Sequence, residues 1–184
     1  MNIIAISGSL RKGSYNTALV RALSALTPPE MQIEMVEIGN LPLFNQDGEA
    51  NFPSAAQALK DKIEAADGVI IATPEFNRSI SGVLKNAIDW ASRPWGKNSF
   101  AGKPVLTAGV SVGKIGTAVA QSHLRQILTY LDMQVIGQPE LYLGPASEIF
   151  DEEGDIIDNS TKELLMKALG VLAERVTNGH TAGK

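Results

Sequence analysis

Hydrophobic and polar positions alternate between two patterns along this chain. Five short apolar runs predict β-strands at residues 2–7, 32–38, 68–73, 104–110 and 134–136. Between them, apolar residues recur every three or four positions, and this spacing predicts helices at residues 16–26, 54–66, 81–92, 116–131 and 160–176. The third run, GVIIAT, is apolar throughout, which is typical of a strand covered on both faces.

Strands that alternate with helices predict a doubly wound α/β fold in one domain, residues 1–176. The polar residues 177–184 are expected to form a disordered tail. Ligands of such sheets bind beyond the carboxyl ends of the strands. The loops that follow the first, third and fourth strands, residues 8–15, 74–80 and 111–115, are therefore the candidate site.

The first loop, SGSLRKGSYN, has the chemistry of an anion site. It lacks the G-x-G-x-x-G of dinucleotide-binding loops, and Ser14 follows Gly13 directly, so the lysine of a nucleoside triphosphate loop is missing. A single terminal phosphate at a helix N-terminus suits the remaining donors. These are the backbone amides and the side chains of Ser7, Ser9, Arg11, Ser14, Asn16 and Thr17. A capped helix behind a solvated basic loop is the alternative from the loop alone.

The second loop follows the third strand directly and contains Pro74, Phe76 and Asn77. Backbone and an aromatic edge in this position could lie against a flat ring. Alternatively, Pro74 shapes a turn, Phe76 packs in the core and Ser81 caps the next helix.

Composition narrows the classes of function. The 184 residues carry a formal net charge of −4, which argues against nucleic acid as the main partner. Cysteine is absent, so any redox chemistry would need a borrowed cofactor. No signal peptide or membrane-length apolar run is found, and we expect a cytoplasmic protein without a membrane partner.

SGSLRKGSYN together with PEFNRSISGVLKNAIDW resembles the NAD(P)H-dependent FMN reductase family, in particular its chromate and quinone reductase branch. HLRQILTYLD, at residues 123–132, is similar to the same branch, and the resemblance covers residues 2–176. It implies a flavodoxin-like, five-stranded parallel sheet of order 2-1-3-4-5. It also implies one non-covalent FMN per subunit and a homodimer or homotetramer with the flavin near a subunit interface.

The resemblance assigns residues by position. The FMN phosphate and its surroundings would involve Ser9, Leu10, Arg11, Ser14, Tyr15, Asn16 and Thr17. The isoalloxazine ring and ribityl chain would lie against Pro74, Glu75, Phe76 and Asn77, with Val110, Ser111 and Gly113 at the other edge of the ring. No catalytic side chain and no metal are expected, because FMN itself carries the hydride. Arg78 would bind an anionic substrate, or else form an interface ion pair.

The implied activity is transfer of electrons from NADH or NADPH, through FMN, to a small-molecule acceptor. Quinones, chromate, azo or nitro compounds and free flavin all remain possible acceptors, and the nicotinamide preference is open. Two other classes are also open: a flavodoxin-type electron carrier without its own NAD(P)H oxidation, and a non-catalytic interaction protein that has lost FMN.

Overall fold

The computed structural model describes residues 1–182 and shows strands and helices in alternation. The strands are β1 Asn2–Ser7, β2 Gln32–Val36, β3 Gly68–Ala72, β4 Pro104–Val110, β5 Gln134–Val135 and β6 Leu141–Leu143. The α-helices are α1 Tyr15–Ala25, α2 Ser54–Ala65, α3 Gly82–Ala91, α4 Ala118–Tyr130, α5 Ala146–Ile149 and α6 Asn159–Ala182. A 3₁₀ helix, Gln46–Asn51, lies in the segment between β2 and α2.

The strands form a parallel sheet of order β2-β1-β3-β4-β5, which confirms the predicted doubly wound topology. The register pairs Ser7 with Ala72 and Ala72 with Ala108. The carboxyl ends of β1, β3 and β4 therefore meet at one edge of the sheet, and the three candidate loops leave the sheet there.

Successive residues of each buried strand enter opposite cores. Ile70 faces the core that α1 and α6 cover, whereas Ile71 faces the core under α2, α3 and α4. This alternation follows from the two-residue period of a strand, and it explains why β3 has no exposed position. The helices on both faces of the sheet therefore fix the position of the edge from which the three candidate loops leave.

The far edge of the sheet differs from the prediction. Two short strands share it: β5 pairs with β4 at Pro104 and Val105, and β6 pairs with β4 from Ala108 to Val110. The predicted fifth strand corresponds to β5 alone, and β6 and α5 were not predicted. β6 matters for the site because it supports the last residues of β4.

The C-terminal helix is longer than predicted. α6 continues beyond the predicted end at residue 176 and reaches Ala182. Each added residue of a formed helix gains one backbone hydrogen bond, which lets the polar segment extend the helix. Residues 183 and 184 of the predicted tail lie outside the described residues.

Candidate functional site

The first loop packs tightly against the second. The Gly8 N–H donates to the carbonyl of Ala72 at 2.8 Å. A Cβ atom at Gly8 would lie 3.2 Å from the side chains of Leu84 and Pro74, so a larger residue would have to push these side chains away by a few tenths of an ångström. Gly13 has φ +66°, the left-handed conformation that turns the chain into α1.

Ser14 caps α1. Its hydroxyl accepts a hydrogen bond from the Thr17 N–H at 3.4 Å, and the Thr17 hydroxyl lies 3.0 Å from that of Ser7. Within the described chain, the N–H groups of Tyr15 and Asn16 in the first turn of α1 have no protein acceptor. Such open N–H groups at a helix N-terminus favour an anion.

Two side chains beside this helix end are available to a ligand. Arg11 is exposed, with its guanidinium 5.7 Å from the centre of the Tyr15 ring. Ser9 is half-buried and its hydroxyl has no hydrogen-bond partner among residues 1–182. A guanidinium, a hydroxyl and open helix N–H groups form a donor set that fits a phosphate dianion.

The side chain of Asn16 is hydrogen-bonded to the end of β4. Its side-chain amide donates to the Val110 carbonyl and its Oδ1 accepts from the Val110 N–H, both at 3.1 Å. Only 4% of Asn16 is exposed. One N–H of the side-chain amide and its Oδ1 are therefore used within the protein, and contact of Asn16 with the phosphate stays a prediction. Val110 is also buried, and its place at the edge of the ring stays a prediction.

The second loop ends in a tight hairpin. Phe76 and Ser79 exchange two backbone hydrogen bonds of 3.0 and 2.9 Å around Asn77 and Arg78. Both turn residues have positive φ, 51° and 63°, as a type I′ turn requires. Phe76 is 58% exposed, so it is not a core residue, and Asn77 is exposed beside it. Pro74 is buried against Gly8.

Glu75 contacts helix α4. One carboxylate oxygen accepts hydrogen bonds from the N–H groups of Val119 and Ala120 at 3.1 and 3.0 Å. The residue before α4, Thr117, is left-handed and provides no side-chain cap. The Glu75 side chain, 10% exposed, supplies that cap from another loop. The carboxylate is therefore engaged within the protein, and the place of Glu75 beside the flavin stays a prediction.

Arg78 pairs with the same glutamate. Its guanidinium lies 3.1 Å from the second Glu75 oxygen, and its side chain remains 65% exposed. The next residue, Ser79, places its hydroxyl 3.2 Å from Nδ1 of His123 on α4. The hairpin is thus attached to α4 at two points, and Arg78 has an ion pair within its own loop.

The third loop is held by β6. The Ser111 N–H donates to the Leu143 carbonyl at 3.0 Å, and the Ser111 hydroxyl donates to the Gly113 carbonyl at 2.7 Å. Large apolar side chains on the three loops are exposed to solvent. They are Leu10, Phe76, Val112 and Ile115. Exposed apolar side chains around a polar anion site suit a ligand with a flat ring and a phosphate.

Neither a metal site nor a membrane span is found in the part of the chain that the structure describes. No group of three or more histidine, cysteine or acidic residues there could hold a metal ion. Across residues 1–182, no helix combines the length and the apolar character that crossing a bilayer requires.

Known proteins match this chain along most of its length. A family model described as NADPH-dependent FMN reductase matches residues 1–148. A 2-hydroxy-1,4-benzoquinone reductase of Burkholderia sp. is 48% identical over 165 residues, 90% of each chain. A quinone reductase of Escherichia coli K12 is 42% identical over 183 residues, covering 96% of this chain and 97% of its own.

A solved structure agrees with these matches. The flavoenzyme NAD(P)H:(acceptor) oxidoreductase of Paracoccus denitrificans superposes with a TM-score of 0.90 at 36% identity, covering 97% of this chain and 98% of its own. The flavodoxin-like fold, the FMN cofactor and the NAD(P)H-dependent oxidoreductase activity that the loop motifs implied are confirmed. The chain belongs to the NADPH-dependent FMN reductase family.

Proposed function

We propose that this protein reduces quinones with NAD(P)H, using one FMN held across the three loops. One observation carries the proposal: a phosphate-type donor set and exposed apolar side chains share the carboxyl edge of the sheet. The relatives named as quinone reductases support a quinone as the acceptor. Chromate, azo or nitro compounds and free flavin stay predictions.

The residues of the first loop would hold the phosphate. Arg11 supplies the positive charge, Ser9 a hydroxyl, and Tyr15 and Asn16 their backbone N–H groups. The hydroxyls of Ser14 and Thr17 also shape the start of α1, and Ser14, which only accepts there, would still have its O–H to donate to the phosphate. Leu10 would cover the phosphate end of the site from its exposed position.

The second and third loops would position the ring and ribityl chain. Pro74, Phe76 and Asn77 form one side, and Ser111 and Gly113 form the other. Bound FMN supplies the redox chemistry between nicotinamide and acceptor, so these residues need only bind, orient and exclude water. Phe76 and the exposed apolar side chains Val112 and Ile115 would leave one face of the ring accessible to each substrate in turn.

The test is the absorbance spectrum of the purified protein before and after NAD(P)H, followed by a panel of acceptors. We expect a yellow protein that NAD(P)H bleaches without a partner enzyme and that quinone restores. Initial-rate plots at several quinone concentrations should be parallel, because both substrates use one site. A yellow protein that NAD(P)H does not bleach would indicate an electron carrier. A protein that stays colourless after FMN addition would indicate a non-catalytic role.

We also propose that Arg78 binds the anionic part of NAD(P)H or of an anionic acceptor. Its guanidinium is largely exposed at the hairpin tip, and Glu75 balances part of its charge. Arg78→Ala should keep FMN, raise the KM for NAD(P)H and flatten the salt dependence of the rate. Arg175→Ala, on the exposed side of α6, is the matched control. Loss of FMN from Arg78→Ala would place Arg78 in the flavin site instead.

A homodimer or homotetramer in the cytoplasm completes the proposal. A cavity of about 630 Å³ lies between α3 and α4, and Trp95 and Tyr130, 79% and 74% exposed, line it. Lys85 and Asp89, paired at 2.7 Å, lie on the same surface, which a second copy could match about a two-fold axis. Trp95→Ser should shift the mass measured by light scattering towards the monomer. An unchanged mass would remove this surface as the contact.

A further inference from the structure

We propose that Asn16 is a positioning residue that fixes the third loop relative to the phosphate-binding end of α1. Nothing in the sequence motif assigns it this role, since the motif places Asn16 among the phosphate ligands. The part of this inference that concerns flavin binding rests on the proposed function. The part that concerns the protein alone rests on the two hydrogen bonds between Asn16 and Val110.

The end of β4 lacks a strand partner on one side. The Ala108 carbonyl accepts from the Thr73 N–H at 2.9 Å, so this side of β4 faces β3. Val110 lies two residues further and presents its N–H and carbonyl to the same side. β3 has already ended at Ala72, so no residue of β3 pairs with Val110.

The carboxamide of Asn16 replaces the missing strand. It offers one donor and one acceptor, as a peptide group does, and both bonds measure 3.1 Å. The two bonds also fix the amide orientation, because only Oδ1 can accept from the Val110 N–H. Burial of both residues makes the pair costly to break, since two backbone groups of Val110 would lose their partners away from water.

This pair links two parts of the flavin site. Asn16 lies in the first turn of α1, two residues after the cap Ser14, and Val110 is followed directly by Ser111 of the third loop. The phosphate donors and the loop proposed for the ring edge are therefore held at a fixed separation before a ligand arrives. Preorganisation of this kind raises affinity because ordering has been completed in the free protein.

FMN and riboflavin distinguish positioning from direct phosphate binding. The flavin-free full-length protein is titrated with each flavin, and quenching of flavin fluorescence gives the two dissociation constants. In Asn16→Ala and Asn16→Leu, we expect both constants to rise by a common factor of about ten, since two hydrogen bonds are lost. The preference for FMN over riboflavin should stay within about twofold of wild type, by the same reasoning.

Arg11→Ala is the matched control, because it should weaken FMN binding and leave riboflavin binding nearly unchanged. If the Asn16 variants behave like Arg11→Ala, or if they bind both flavins as wild type does, the positioning role is wrong. Asn16→Leu is close to Asn in size, adds no charge and serves if Asn16→Ala does not fold.

Amide hydrogen exchange of the wild-type protein tests the two Asn16–Val110 hydrogen bonds without any variant. In flavin-free protein, the Val110 N–H should exchange at least about a hundredfold more slowly than the N–H groups of Val112 and Gly113, which lie in the exposed loop. Equal exchange rates would overturn the proposal. Failure of the wild-type protein to bind FMN would refute the proposed function instead, and the exchange measurement would still decide the role of Asn16.

Discussion

Replacing Glu75 by alanine should destabilise the protein through helix α4. The substitution removes the acceptor for the Val119 and Ala120 N–H groups, and Ala120 is completely buried. Loss of a helix cap costs about 0.5–2 kcal/mol. A buried donor left without a partner adds about 1–3 kcal/mol. The Arg78 pair contributes less than about 1 kcal/mol because the Arg78 side chain is exposed. We expect a total loss of about 3 kcal/mol in the free energy of unfolding.

Two further variants separate the contributions. Glu75→Gln keeps an oxygen for the helix N–H groups but loses the charge, and should cost about 1 kcal/mol. Arg78→Ala removes only the ion pair and should cost less than about 1 kcal/mol. Glu174→Ala, at an exposed position of α6, is the matched control and should lie within about 0.5 kcal/mol of wild type.

Denaturant unfolding followed by circular dichroism measures these differences, with and without saturating FMN because a bound ligand adds stability. For a chain of this length, about 3 kcal/mol corresponds to a fall in Tm of roughly 6–12 °C. The capping role of Glu75 is refuted if Glu75→Ala is no less stable than Glu174→Ala. It is equally refuted if Arg78→Ala costs as much as Glu75→Ala, because the ion pair would then carry the effect.

Three other predictions concern separate parts of the chain. Arg11→Ala should weaken FMN binding about tenfold or more in a fluorescence titration, and unchanged affinity would remove the first loop from the phosphate site. Gly109→Ala should fold poorly in a thermal melt, because a Cβ there would collide with the side chain of Thr117; a Tm equal to wild type would contradict the close approach. Hydrogen bonds from Thr161 and Ser160 lower the pKa of Asp158 from 3.8 to about 2, so its stabilising effect is complete above about pH 4 and lost as pH falls through 2. The Tm deficit of Asp158→Ala should therefore shrink between pH 4 and pH 2, and a deficit independent of pH would contradict this.

The sequence predicted the sheet well because the central strands are buried on both faces. An unbroken apolar run such as that of β3 leaves few alternatives, and the predicted bounds of β1 and β4 match the structure. β6 was missed because three residues between a loop and a Gly-Pro pair are too few to show a period.

The site was predicted at the level of loops but not of individual contacts. Asn16 and Glu75 were both assigned to the flavin, whereas each bonds to backbone far away in sequence, at Val110 and at Val119 and Ala120. A single sequence does not show such pairings. The sequence also hides the cap supplied by Glu75, because Thr117 is a residue type that commonly caps a helix, and only its left-handed backbone shows that it does not do so here.

The divided edge strand has a consequence for behaviour at high concentration. A long, regular outer strand offers a row of unpaired backbone groups on which other chains can assemble into aggregates. Here β5 and β6 offer only two and three residues, and residues 136–140 separate them. β2 is the outer strand on the opposite side of the sheet. Its Glu34 forms an ion pair with Lys62, so charged side chains lie beside the unpaired backbone groups of this strand. Both margins of the sheet therefore discourage intermolecular β-pairing, so the protein can stay dispersed while its central strands remain strongly apolar.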